Sequence, residues 1–110
     1  MLGKRAENSN KEIYKRTDSG DFEKDYDFKR QIRRASVSIS SNIAEGFERN
    51  TDKEFIYFLY VAKASAGEVR SQLYLALDLD YIKEAEFLVL KENIENISKM
   101  LSGLIKYLKK

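Results

Sequence analysis

Lys29, Arg30, Arg33 and Arg34 stand at i, i+1, i+4 and i+5, so a helix through them carries four cations on one side. Arginine forks and lysine ammonium groups suit phosphate oxygens, and counterion release makes such contacts fall steeply with salt. The chemistry on offer is neutralisation of an RNA or DNA backbone. Base readout is not expected, because no aromatic residue interleaves with the cluster to stack bases. The competing reading is a solvated face, with Asp25 four residues before Lys29 as an ordinary i,i+4 partner.

Ser41, Asn42, Glu45 and Gly46 have the residue types of a hydrolytic centre without its base. The chain has no histidine, so nothing activates the serine. A packing or subunit-contact role fits these residues better. Serine and asparagine side chains bond back to helix carbonyls, Gly46 permits close backbone approach, and Glu45 can accept from an arginine on a neighbouring element. Di-iron bundles pair glutamates with histidines, so neither a metal nor another cofactor is expected. Without histidine or cysteine chemistry, the expectation is a non-enzymatic protein that works through its surfaces.

Tyr60, Ala64, Gly67, Ser71 and Tyr74 share a helical face in which small residues lie between tyrosines. Small residues allow close helix approach, and tyrosine joins an apolar body to a polar tip, so this face is a candidate subunit interface. Alternatively, Tyr57, Tyr60 and Tyr74 rim the core of a single chain.

Long helices must position all these residues. Thr51-Asp52-Lys53-Glu54 has the pattern of a capping box. Behind it Phe55, Leu59, Ala62, Ala66, Val69, Leu73 and Ala76 recur at alternating spacings of four and three, one seam on a helix over 52–79. Phe87, Leu90, Ile94, Ile97, Leu101, Leu104 and Leu108 repeat the pattern, after a tight connection at Asp80-Tyr81-Ile82 that favours antiparallel neighbours. Phe28, Ile32, Ala35, Ile39 and Ile43 predict a helix from about Asp25 to Glu48. Its serine-rich middle, Ser36 to Asn42, is poor helix-forming sequence and predicts local irregularity. Ser9-Asn10-Lys11-Glu12 reads as another capping box, opening a short first helix that ends by Ser19-Gly20-Asp21.

The fold class is therefore all-α: an antiparallel up-down-up-down four-helix bundle with a shortened first helix. It fills a single domain over 1–110, and residues 1–10 form a polar N-terminal extension. The absence of proline agrees with uninterrupted helices. No cysteine means no disulfide, Met1 to Asn10 has no apolar signal-peptide core, and no run approaches the roughly 20 apolar residues of a membrane span. A cytoplasmic protein with no membrane partner is expected. The net charge of +2 does not by itself indicate nucleic acid.

The run from Gln31-Ile32-Arg33-Arg34 to Ser41-Asn42-Ile43-Ala44-Glu45-Gly46-Phe47 resembles the four-helix-bundle proteins first noticed as reading frames inside 23S rRNA intervening sequences. The similarity continues through Asp52-Lys53-Glu54-Phe55, Leu73, Leu75, Ala76 and Leu79. It closes on Ile97-Ser98-Lys99-Met100-Leu101 and Gly103-Leu104-Ile105. That family includes an accessory protein of diversity-generating retroelements. The resemblance implies a homo-oligomer, a closed ring of five bundles, and for the accessory member nucleic acid and a reverse transcriptase as partners. It therefore implies a ring-forming scaffold that binds nucleic acid or a nucleic-acid-processing partner. The alternative is a purely structural or protein-interaction bundle with no nucleic-acid affinity. Relatives usually have proline where Ser40 stands, glycine where Asp80 stands, and an apolar first half-helix in place of Met1 to Asn10.

Overall fold

The three long seams become the core of a bundle. The computed structural model describes residues 1–110, with helices α1 (Leu2–Arg16), α2 (Gly20–Lys24), α3 (Tyr26–Phe47), α4 (Asp52–Asp78) and α5 (Glu84–Leu108). There are no strands, and 85% of the residues are helical. The four long helices pack antiparallel, each against two neighbours, in the cyclic order α1, α3, α4, α5. Every seam residue of α3 is buried, and on α4 all but the half-buried Phe55. On α5 the seam turns near its end: Ile105 is buried, while Leu104 and Leu108 are half-buried. No helix is long and apolar enough to cross a membrane.

The first helix is the shortest of the four, at 15 residues against 22, 27 and 25. It nevertheless begins at Leu2, so residues 1–10 are not a polar extension and Ser9 is not a cap. Leu2, Ala6, Ser9, Ile13 and Thr17 form its buried face. Only two of these are large and apolar, which is why the spacing went unread. The small side chains let α1 lie close on its neighbours, and its polar residues bond across the contact. Asn10 donates to Ser40 Oγ at 3.1 Å and accepts from Ser36 Oγ.

These bonds also explain the serine-rich middle of α3, which is unbroken helix and not irregular. Ser36 and Ser40 reach Asn10 on α1, Ser38 meets Ser65 on α4 at 2.9 Å, and Asn42 donates to the Ser38 carbonyl at 2.8 Å. Serine is a weak helix former because its hydroxyl competes for backbone partners. Here much of that bonding is with hydroxyl and amide groups of the neighbouring helices.

Both ends of α4 are set by local chemistry. Thr51 Oγ1 accepts from the Glu54 backbone N–H at 3.2 Å, as the capping box predicts. At the other end Asp80 N–H donates to the Leu77 carbonyl and Tyr81 N–H to the Ala76 carbonyl, the paired bonds of a Schellman turn. That turn needs a left-handed residue, and Asp80 takes φ +60° there. Aspartate is among the few side chains that tolerate this conformation.

Helix α2, a single turn absent from the sequence reading, supplies Phe22, which is 1% exposed. Its ring stacks on Phe28 at 5.2 Å and lies against Tyr81 at the same distance. Tyr81 in turn donates to Asp25 Oδ2 at 2.8 Å, and Asp25 Oδ1 caps α3 through the Phe28 N–H. One aspartate thus ties the α4–α5 connection to the start of α3.

Candidate functional site

The four cations of the α3 cluster do not act as one patch. Arg33 is held inward by α1: its Nε donates to Thr17 Oγ1 at 2.8 Å and its Nη2 to the Tyr14 carbonyl at 3.1 Å. Its guanidinium lies over the Tyr14 ring at 4.1 Å. Lys29 pairs with Asp18 at 3.4 Å, not with Asp25, which is occupied as the α3 cap. Arg33 and Lys29 therefore fasten the end of α1 to α3. Arg30 and Arg34 point away from that contact, exposed and held by no carboxylate. The side that four residues share by spacing holds two free cations.

Ser41, Asn42, Glu45 and Gly46 occupy the last turns of α3. Gly46 is buried, and a Cβ built on it would stand 2.8 Å from Phe55 Cδ1 and 3.3 Å from Phe58 Cβ. Here α3 lies close against α4, with no room for a side chain. Glu45 pairs with Arg49, one turn on, whose guanidinium lies over Phe58. Ser41 is exposed, and Asn42 is spent on Ser38. The arrangement is a helix crossing with its rim tied down.

On α4 the five interface candidates divide between two strips. Ala64 and Ser71 lie on the outward face, in line with the exposed Tyr57, Leu75 and Leu79. Tyr60, Gly67 and Tyr74 turn towards α5. There Tyr60 accepts from Lys109 Nζ at 2.9 Å, and Tyr74 packs edge-on against Phe87 at 4.9 Å. Gly67 floors a cleft of about 570 Å³ between α4 and α5, lined also by Lys63, Arg70, Glu95 and Lys99. A Cβ on Gly67 would meet nothing within 4 Å, so no helix of this chain approaches closely there. A second cleft of about 220 Å³ continues it, sharing Lys63 and Ser102 and adding Tyr60, Lys106 and Lys109. Sequence reading missed this groove because its two walls lie more than a helix apart in the chain.

The sequence profile of the 23S rRNA-intervening sequence protein family matches residues 2–103. This chain belongs to that family. A crystal structure of an S23 ribosomal protein family member of unknown function from Bacteroides thetaiotaomicron is similar at 25% identity. It superposes with a TM-score of 0.89 over 96% of this chain and 99% of that one. No curated protein matches the chain. The resemblance, read over roughly residues 12–108, thus extends back through the start of the first helix.

One carboxylate lines the basic groove of this family member. Glu95 accepts from Arg70 Nε at 2.8 Å and from Lys91 at 3.3 Å. These hydrogen bonds, Arg70's first, hold its carboxyl below the usual carboxylate range. A lowered folded value adds stability above the unfolded carboxylate's pKa, and that stability is lost as pH falls through the folded one. We predict that Glu95→Gln is less stable than wild type near neutral pH and indistinguishable from it in strong acid. Urea unfolding at several pH values checks this. A difference that persisted in acid would mean the side chain acts by packing and not by charge.

Proposed function

We propose that this chain is a non-enzymatic, cytoplasmic scaffold that assembles into a closed homo-oligomer, a pentamer by family resemblance, and binds RNA or DNA through basic helical faces. The observation that carries the reading is the outward face of α4, where Tyr57, Leu75 and Leu79 are 62%, 47% and 45% exposed beside Ala64 and Ser71. A helix that buries one apolar face and exposes another is built for two contacts, and the second is met here by another subunit. In a ring each subunit presents this strip to a different surface of its neighbour, so one substitution acts at every interface. The same repetition multiplies Arg30 and Arg34 around the ring, which offsets the low net charge of one chain. A reverse transcriptase or similar nucleic-acid enzyme fits such a scaffold as a further partner.

Light scattering tests the assembly. Wild type should have the mass of several chains, and Leu75→Glu should give smaller species with unchanged helicity. A monomeric wild type at micromolar concentration overturns the ring. Titration with mixed-sequence RNA and DNA at two salt concentrations tests the second half. Arg30→Glu with Arg34→Glu should weaken binding and flatten its salt dependence, each lost phosphate contact lowering the slope by about 0.7–0.9. A wild type with no salt-dependent affinity favours the purely structural bundle.

A further inference from the structure

We infer that the groove between α4 and α5 is a binding site for single-stranded nucleic acid. This rests on the nucleic-acid reading above but places the contact on another side of the bundle. Lys63, Lys99, Lys106 and Lys109 line the two adjoining clefts. The single carboxylate among the lining residues, Glu95, is occupied by Arg70 and Lys91. None of the four lysines has a carboxylate partner. Lys109 instead donates to a phenol oxygen and lies over the Tyr60 ring at 5.3 Å. A run of cations left unpaired on a chain of net charge +2 is a local field that calls for an anion.

The shape of the groove selects the form of that anion. Lys99 to Lys109 spans about 15 Å along α5 at the helical rise, a row long enough to follow a backbone through several phosphates. Two packed helices have axes roughly 8–10 Å apart, so the furrow between them admits one strand and leaves a duplex on its rim.

An aromatic ring lines the same end: Tyr60, 45% exposed, is part of the second cleft. Unstacked bases settle on such rings, and cations interleaved with aromatics are the mark of single-strand binding. An acidic peptide would satisfy the lysines but leave the Tyr60 ring without a role.

The experiment is a fluorescence-anisotropy titration of the full chain with a labelled mixed-sequence RNA strand, the same strand in a duplex, and polyglutamate. Wild type should bind the single strand more tightly than the duplex or the polypeptide. Lys106→Ala with Lys109→Ala should lower the slope of log affinity against log salt by about 1.4, two contacts at about 0.7 each for single strands. Tyr60→Leu should weaken binding by about five- to hundred-fold through lost stacking, and Tyr60→Phe should stay close to wild type. All of these side chains are at the surface, and circular dichroism verifies the fold of each variant.

Equal affinity for strand and duplex, or polyglutamate binding that matches RNA, overturns the proposal. If wild type binds RNA and only Arg30→Glu with Arg34→Glu changes it, the groove is wrong while the broader reading stands. If wild type binds no RNA, both fall.

Discussion

Leu73→Ala is expected to lower the unfolding free energy by about 3–5 kcal/mol and Ile97→Ala by about 2–4 kcal/mol, within the range for large-to-small changes in packed cores. Both side chains are 1% exposed and lie mid-seam, Leu73 on α4 and Ile97 on α5. The order follows from what surrounds each one. Leu73 sits in α4, which packs against the two other longest helices, α3 and α5, so little can move to refill its space. Ile97 borders a cleft of about 300 Å³ shared with Arg5, Asn8, Ser9 and Asn93, beside the short helix α1. That helix is held by small and polar side chains and can settle inwards, which lessens the cavity. Urea unfolding at one fixed protein concentration gives both values, since assembly makes stability depend on concentration. Leu88, 53% exposed, is the control, and its alanine variant should stay within about 0.5 kcal/mol of wild type. A loss that small at Leu73 would mean the seam is misplaced.

The seams were legible because they are written in large aliphatic residues at constant spacing on α3, α4 and α5. The first helix was not, because Ala6, Ser9 and Thr17 fill its inward positions and only the structure shows that Leu2 and Ile13 complete one face. Helix α2 is too short to carry a period, so Phe22 had no pattern to announce it. A sharper signal was present at Asp80. An aspartate between two apolar segments is one of the few residues that takes a positive φ, and it marks the end of α4.

The candidate sites were harder for a different reason. Spacing within α3 puts Lys29, Arg30, Arg33 and Arg34 on one side, but it cannot show that Tyr14 of α1 and Thr17 and Asp18 just beyond its end claim two of them. In the same way the lysines of the α4–α5 groove belong to helices whose pairing is a tertiary fact. Within the Ser41 to Gly46 motif the need at Gly46 is local, since a Cβ there would meet Phe55 and Phe58, and a glycine in a helix is the signal for such an approach.

Gly46→Ala is expected to destabilise the protein by about 1–2 kcal/mol, although the same change usually stabilises a helix. Alanine is favoured over glycine by roughly 0.5–1 kcal/mol in a helix interior, since it loses less backbone freedom on folding. Against this stands overpacking, which costs about 1–3 kcal/mol in a filled core. The geometry decides between them. The new methyl group would lie 2.8 Å from Phe55 Cδ1, 3.1 Å from Phe55 Cε1 and 3.3 Å from Phe58 Cβ. The half-buried Phe55 ring can turn aside at the cost of its contact with Phe47 at 4.9 Å, but Phe58 Cβ is fixed to the α4 backbone. Full relief therefore needs a shift of α3 against α4 as well as a turn of the Phe55 ring, and Gly46→Leu, with more atoms to place, should cost about 3 kcal/mol or more. Gly67 and Gly103 supply the comparison within the same protein, since a Cβ on either meets nothing within 4 Å. At those two helical positions alanine should stabilise by roughly 0.5–1 kcal/mol. Urea unfolding of the three single variants reads out the sign directly. A stabilised Gly46→Ala would mean that the α3–α4 crossing is loose and that the Ser41 to Gly46 motif serves something other than this contact.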